Sequence, residues 1–185
     1  MSVLDHVALL VEDVEAAAPR VAALGLEAGP IERFPGEGTV EQYHGGEDCD
    51  ARLLLIQPAH EESPYARALR KRGPGLHHVA LRHPEPEDYA LELAGWLLHP
   101  QSLRSREHGT LWLARPGIGC LLEVARSDLP AQSERALEGV EVEAAAGLAS
   151  LLAGLRVAGL SAGAAGEGSW LLGAGQRLAA ALPAL

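Results

Sequence analysis

The strongest constraint on the fold is an internal repeat. The sequence LDHVALLVEDVEAAAPRVAALGLEAG (residues 4–29) is matched by LHHVALRHPEPEDYALELAGWLL (residues 76–98), and both open on the pattern L-x-H-V-A-L. Each copy then passes an acidic turn and enters an Ala- and Leu-rich segment of helical character. Such self-similarity predicts two equivalent supersecondary units. His6 and His78 occupy the same place in their units.

Each unit is predicted to have the order β-α-β-β-β. The opening segments are short apolar strands in which alternate residues share a face. The helices are expected to begin near Asp13 and Glu85, because acidic residues stabilise the first helical turn. Pro19 should kink the first helix or delay its start. Further strands are expected around residues 38–44, 51–57, 109–115 and 119–126.

Two adjacent histidines open the second copy of the repeat. Neighbours in a regular strand point to opposite faces, so at most one of them is expected in a given site. The repeat selects His78, because it is the equivalent of His6. His77 is then the equivalent of Asp5.

A third stretch, residues 137–163, repeats the strand-helix-strand rhythm with Gly139 in the place of the histidines. We therefore expect a paired βαβββ domain over residues 1–128 and a shortened third βαβ-type unit, without a ligand, over residues 134–185. The alternative for the third stretch is an Ala-rich helical tail, because short apolar runs are ambiguous between strand and helix.

Composition narrows the class of partner. The 185 residues carry a formal net charge of −10, which argues against binding to duplex nucleic acid. No apolar run reaches the ~18 residues of a transmembrane helix, and the N-terminus lacks the basic region of a signal peptide. Two cysteines do not make a disulfide framework. The expectation is a cytoplasmic protein that acts on a small molecule.

Three side chains are candidates for a metal site. Two equivalent imidazoles, those of His6 and His78, suggest an ion at the junction of the paired units. Glu123 interrupts an otherwise apolar strand, and a buried carboxylate needs a partner such as a metal or an arginine. Two histidines and one carboxylate leave coordination positions open, as in catalytic sites. The alternative is that the histidines are hydrogen-bonded core residues and Glu123 lies on an exposed edge.

The sequence resembles the vicinal oxygen chelate superfamily, which includes glyoxalase I, extradiol dioxygenases, bleomycin-resistance proteins and methylmalonyl-CoA epimerase. The similarity is greatest to the epimerase group and spans roughly residues 3–126. It implies an α+β fold in which paired βαβββ modules form an incurved mixed sheet. It also implies a divalent metal ion (Co, Mn, Zn, Ni or Fe) and a homodimer. The segments that carry the similarity are LDHVALLVEDVEAA (4–17), TVEQY (39–43), LLLIQPAHEESPYARALRKRGPGLHHVAL (53–81) and LLEVA (121–125).

The resemblance assigns roles to individual residues. It implies that His6, His78 and Glu123 bind the metal. The second carboxylate of the family corresponds to Glu41, on the strand before the third block. Glu41 and Glu123 are then the acid/base pair that works on opposite faces of a substrate carbon.

The sequence departs from the family at the expected fourth ligand. That position holds Leu54, which cannot bind a metal. Gln57 is nearby but should point to the opposite face from Leu54. His44 is a further candidate to substitute as a ligand, although it should share a face with Gln42 rather than with Glu41.

Three functions follow from the resemblance. The first is a metal-dependent isomerase or lyase that acts on a small oxygen-chelating substrate. An example of such a reaction is the epimerisation of an acyl-CoA thioester such as methylmalonyl-CoA. The second is an Fe(II) extradiol-type dioxygenase, because two histidines and one carboxylate form the facial triad of non-haem iron enzymes. The third is a metal-free ligand-binding protein of the resistance type, for which Leu54 would mark loss of the ion.

Overall fold

The chain folds in the order that its repeat predicts. The computed structural model describes residues 2–105, 109–132, 134–145 and 148–180. The first copy of the repeat forms β1 (Val3–Leu10), α1 (Val14–Val21), β2 (Ala28–Phe34), β3 (Thr39–His44) and β4 (Arg52–Pro58). Helix α2 (Pro64–Arg72) connects it to the second copy. That copy forms β5 (Gly75–His83), α3 (Pro86–Glu92), β6 (Leu97–Leu98), α4 (Ser102–Ser105), β7 (Thr110–Ala114) and β8 (Leu121–Arg126).

The two copies share one mixed sheet of eight strands. Its order is β2-β3-β4-β1-β5-β8-β7-β6, so the two opening strands lie side by side at its centre. Strands β1 and β5 are antiparallel, and each pairs in parallel with the last strand of its own copy. The two halves are therefore related by an approximate twofold axis between β1 and β5. The predicted α+β fold of paired βαβββ modules is confirmed, and the sheet is not closed.

Helix starts follow the predicted acidic positions. Asp13 is the N-cap of α1, and its Oδ1 accepts a hydrogen bond from the backbone N–H of Ala16 at 2.9 Å. Glu85 precedes α3, whose first residue is a proline. Of the two effects predicted for Pro19, the delayed start is wrong, because α1 begins at Val14 and continues for two residues beyond this proline; the kink stays a prediction.

The central strands are buried on both faces of the sheet. On one face, fully buried residues such as Leu9, Leu55 and Leu81 belong to the main core, which α1 and α3 also contribute to. On the other face, Ala8, Leu10, Leu54 and Ile56 form a smaller buried cluster. This second face is called the site face below. Helix α2 covers part of it, with Tyr65, Ala68 and Leu69 packed against the cluster.

A second sheet follows the paired modules. Strands β9 (Gly139–Glu143), β10 (Leu160–Gly163), β11 (Trp170–Gly173) and β12 (Gln176–Ala179) adopt the order β10-β9-β11-β12, with α5 (Ala149–Ala153) between β9 and β10. Strands β9 and β10 are parallel. Buried residues of this sheet, among them Val140 and Leu171, belong to the same core cluster as those of the modules. The division at residues 128–134 into two domains stays a prediction.

The connection to the second sheet is fastened to the loop before β4. The backbone N–H of Asp50 donates to the carbonyl of Glu134 at 3.0 Å, and that of Ala136 donates to the carbonyl of Asp50 at 2.9 Å. The Asp50 carboxylate also accepts from the backbone N–H of Gln132 at 2.8 Å. These bonds fix the segment against the first module. Within the described ranges, no helix is long and apolar enough to cross a membrane.

Candidate metal centre

Three side chains meet on the site face where the two modules join. His6 comes from β1, His78 from β5 and Glu123 from β8. The Nε2 atoms of His6 and His78 lie 3.1 Å apart, and His78 Nε2 lies 3.3 Å from Glu123 Oε2. One ligand atom from each residue lies within 4.8 Å of the other two. The structure thus brings together the three residues predicted as ligands, from strands far apart in the sequence.

The donor set fits a divalent ion. Burial lowers the pKa of His78 well below its ordinary value, with the charges of His77 and His6 adding to the effect, and the neutral imidazole is the form that binds a metal. Burial also raises the pKa of Glu123, although the neighbouring His6 opposes the shift. Two imidazole nitrogens and a carboxylate oxygen that point at one another form a donor set that one cation can share. Such ligands suit zinc, iron and their neighbours in the first transition series.

Strand register shows why Leu54 matters. In the parallel pair of the first module, Ala8 lies opposite Leu54. In the parallel pair of the second module, the equivalent Ala80 lies opposite Glu123. Leu54 therefore occupies, by approximate twofold symmetry, the place of Glu123 in the other half. Its side chain is 3% exposed on the site face and has no ligand atom.

Neither nearby polar residue replaces Leu54. The Oε1 of Gln57 accepts a hydrogen bond from the backbone N–H of Val14 at 3.0 Å, at the start of α1. Gln57 thus points to the helix side of the sheet, as expected. His44 lies opposite Leu53 in the β3–β4 ladder, and Leu53 belongs to the main core. The imidazole of His44 therefore faces away from the site.

Equivalent aromatic rings pack against the two histidines. Tyr43, opposite Leu54 in its ladder, meets the His6 ring edge to face with centroids 5.6 Å apart. Trp112, opposite Glu123, meets the His78 ring in the same manner at 5.0 Å. Edge-to-face contacts are a favoured geometry for ring pairs, so both contacts stabilise the imidazoles in the orientation seen here. Sequence reasoning missed this role because alternation alone does not say which strand partners meet.

The predicted second carboxylate, Glu41, lies on the site face. It is opposite Ile56 in the β3–β4 ladder, and its Oε1 accepts a hydrogen bond from the Thr39 hydroxyl at 2.8 Å. Burial raises the pKa of Glu41, the Thr39 bond opposes this, and the nearby Glu37 adds to the rise. The charge of Glu41 in turn contributes to the raised pKa of Glu123. Carboxyl groups with raised pKa values suit proton transfer.

The residues preceding the two histidines contact their rings from behind. Asp5 Oδ2 lies 2.7 Å from His6 Nδ1, and His77 Nδ1 lies 2.9 Å from His78 Nδ1. Burial alone would raise the pKa of Asp5, but the hydrogen bond from His6 and the charges of His6 and Arg82 hold it below its ordinary value. Arg82 pairs with Asp5 through Nε at 3.2 Å and also with Asp50. These contacts lie outside the sequence-based predictions.

Comparison with known proteins agrees with this architecture. The chain matches the family described as the Glyoxalase/Bleomycin resistance protein/Dioxygenase superfamily over residues 5–109, which is more than half of its length. No curated protein sequence matches it.

Solved structures share the fold at low sequence identity. A hypothetical protein from Bacillus halodurans has a TM-score of 0.55 at 24% identity, and the match covers 71% of this chain and 99% of that one. A variant of the Streptomyces coelicolor methylmalonyl-CoA epimerase, in complex with 2-nitronate-propionyl-CoA, has a TM-score of 0.50 at 21% identity, covering 68% and 97%. A methylmalonyl-CoA epimerase in complex with methylmalonyl-CoA and an ammonium ion has a TM-score of 0.51 at 20% identity, covering 69% and 96%.

Proposed function

Because the chain belongs to the glyoxalase, bleomycin resistance protein and dioxygenase superfamily, we propose that it is a metal-dependent enzyme of isomerase or lyase type. His6, His78 and Glu123 would hold the divalent ion. The observation that carries the proposal is the convergence of two Nε2 atoms and one carboxylate oxygen within 4.8 Å of one another. When bound, the ion acts as a Lewis acid that stabilises negative charge on a substrate oxygen.

The chain's own carboxyl groups would move the proton. Glu41 belongs to β3 and Glu123 to β8, and these strands lie on either side of the central β4-β1-β5 group in the sheet. A substrate bound over the centre would have one carboxyl group on each side. One group takes the proton from the carbon next to a carbonyl, and the other returns a proton to the opposite side. This exchange inverts the carbon, which is an epimerisation.

The surfaces that line the site are mostly apolar, which supports a reaction that takes place away from water. The floor is formed by the buried side chains of Ala8, Leu10, Leu54 and Ile56, and tyrosines from β3 and α2 pack against it. In a dry environment the interaction between a carboxylate and a developing charge is stronger than in water. The substrate class we propose is an acyl-CoA thioester such as methylmalonyl-CoA, on the strength of the sequence similarity over residues 53–81. The proposal includes a homodimer.

One observation favours a second candidate. With Leu54 in the place of a fourth ligand, the donor set reduces to two histidines and one carboxylate, the triad used by non-haem Fe(II) oxygenases. An extradiol-type dioxygenase is therefore the alternative activity. A metal-free ligand-binding protein is the third, and it differs from both in its metal content.

One experiment separates these functions. The protein is purified without added metal, its metal content is measured, and it is incubated with racemic methylmalonyl-CoA in deuterated water. We expect a stoichiometric ion and incorporation of deuterium at the α carbon. The variant Glu41→Gln should keep the ion but lose inversion, with exchange confined to the epimer whose α proton faces Glu123, whereas His78→Ala should lose both the ion and exchange. Metal without exchange, together with oxygen uptake in the presence of a catechol, would support the dioxygenase instead.

A further inference from the structure

Each histidine proposed to bind the ion has its own supporting side chain, supplied by the residue just before it. We propose that Asp5 and His77 are a matched pair of positioning residues, which hold the imidazoles of His6 and His78 in the orientation and tautomer that metal binding requires. This inference rests on the proposed function, because it presumes that the two imidazoles bind an ion.

Two irregularities in the β1–β5 ladder make the arrangement possible. From Leu4 to His6 the pairing advances two residues on β1 but only one on β5, so Asp5 is an extra residue. From His78 to Leu76 it advances two residues on β5 against one on β1, so His77 is an extra residue there. An extra residue of this kind is a β-bulge, which locally re-aims side chains that would otherwise alternate between faces.

The bulges occur at equivalent places in the two modules. Each one allows the residue before a histidine to reach the Nδ1 atom of that histidine, at 2.7 Å for Asp5 and 2.9 Å for His77. Regular alternation would have placed these side chains on the opposite face. Because a bulge and a contact to Nδ1 occur in both halves, we infer that the two modules support their histidines in the same way.

On the first module the supporting group is an anion. The Asp5 carboxylate accepts a hydrogen bond from the N–H at His6 Nδ1, and this tautomer leaves the lone pair of Nε2 directed at His78 and Glu123. Asp5 is itself held by Arg82, whose Nε lies 3.2 Å from Oδ1. The His6 ring is thus fixed at its back by a carboxylate that cannot rotate freely.

On the second module the supporting group is an imidazole. For His78 Nε2 to bind an ion, its Nδ1 has to carry the proton, and this N–H donates a hydrogen bond to the lone pair of His77 Nδ1. The proton of His77 then resides on its own Nε2. Tyr65 of α2 packs against His77 with ring centroids 5.1 Å apart, so helix α2 fixes the supporting ring. The two halves therefore present a charged and an uncharged support to otherwise equivalent histidines.

Two substitutions separate hydrogen bonding from packing at residue 77. His77→Phe keeps a ring against Tyr65 but removes the acceptor, whereas His77→Asn keeps an acceptor near the Nδ1 position but loses the ring contact. Loss of a supporting hydrogen bond typically weakens metal binding about 10–100-fold. We therefore expect His77→Phe to weaken Co²⁺ binding by this factor and His77→Asn to remain within about threefold of the wild type. Affinities are measured by competition with a chromogenic chelator.

A spectroscopic readout tests the hydrogen bond itself. In isotope-labelled Zn²⁺-loaded protein, NMR should detect a coupling between the two Nδ1 atoms of His77 and His78, with the proton on His78. If the wild type binds Co²⁺ but His77→Phe binds it equally well, or if the coupling is absent, the positioning role is refuted while the proposed function stands. If the wild type binds no ion, the proposed function is refuted, and the positioning role is refuted as well because it depends on metal binding.

Discussion

Replacement of Leu54 by glutamine tests whether this position is a vacant ligand site. The side chain is 3% exposed and lies on the site face opposite Ala8, at the place equivalent to Glu123 in the second module. Leu54→Gln introduces an amide oxygen of the kind that binds divalent ions, at a position where the strand register already points to the site. We expect the variant to bind the metal more tightly than the wild type does. We also expect its metal-free form to be less stable than the metal-free wild type.

The two effects can be given magnitudes. Removing a fully buried leucine loses about 1.5–3 kcal/mol of apolar burial, and an unpartnered buried amide costs about 1–3 kcal/mol more. In the presence of a chelator, the free energy of unfolding should therefore fall by about 2.5–6 kcal/mol. If the fourth ligand tightens metal binding tenfold, a saturating concentration of free ion should raise the free energy of unfolding of the variant by about 1.4 kcal/mol more than it raises that of the wild type.

The assay is urea denaturation in EDTA and in buffered Co²⁺, for the wild type, Leu54→Gln and a matched control. The control is Ile56→Gln, which buries the same amide two residues further along the same face, opposite Glu41 instead of Tyr43. Only Leu54→Gln should gain extra stabilisation from the ion. An equal gain in both variants, or none in either, would refute the assignment of residue 54 as a ligand position.

Three further predictions follow from the same contacts. EDTA should lower the Tm of the metal-loaded wild type but leave His78→Ala unchanged, as thermal denaturation would show; a similar drop in the variant would mean that the ion binds elsewhere. Burial raises the pKa of Glu41 in the folded state, so the native protein binds more protons than the unfolded chain between the two pKa values, and stability falls as pH rises through that window. Glu41→Gln should therefore be more stable than the metal-free wild type at neutral pH, and this difference should disappear as pH falls below the ordinary glutamate pKa. Denaturation measured as a function of pH checks this, and a difference in stability that does not change with pH would contradict the burial argument. Asp50→Ala should cost about 3 kcal/mol in urea denaturation, because it removes one partner from a buried ion pair with Arg82; a cost no larger than that of Asp48→Ala would show that the pair is not needed.

The repeat allowed much of the site to be predicted. Because equivalent residues of equivalent strands meet at the centre of the sheet, the pattern L-x-H-V-A-L was enough to bring His6 and His78 together. Glu123 stood out as a charge within an apolar strand, and the direction of Gln57 followed from alternation. These predictions depend on strand periodicity, which a sequence displays directly.

Other features could not be predicted from that periodicity. Strand β2 is mostly exposed and β6 has only two residues, so neither has an apolar pattern that would mark its limits. The bulges at Asp5 and His77 result from pairing between distant strands, and nothing in the local sequence distinguishes an extra residue from an alternating one. Rules for a regular strand therefore select His78 for the site, as the structure has it, but do not anticipate the contact between the rings of His77 and His78.

The approximate twofold axis between β1 and β5 has a consequence for how such a site could diversify. Two separate copies of one module, meeting along the same strands, would have to present identical residues on both sides of the ion. Joined in a single polypeptide, the halves are free to differ, as they do at Leu54 and Glu123 and at Asp5 and His77. Duplication within one chain thus converts a symmetric cradle into one whose two halves can take different roles around the same ion.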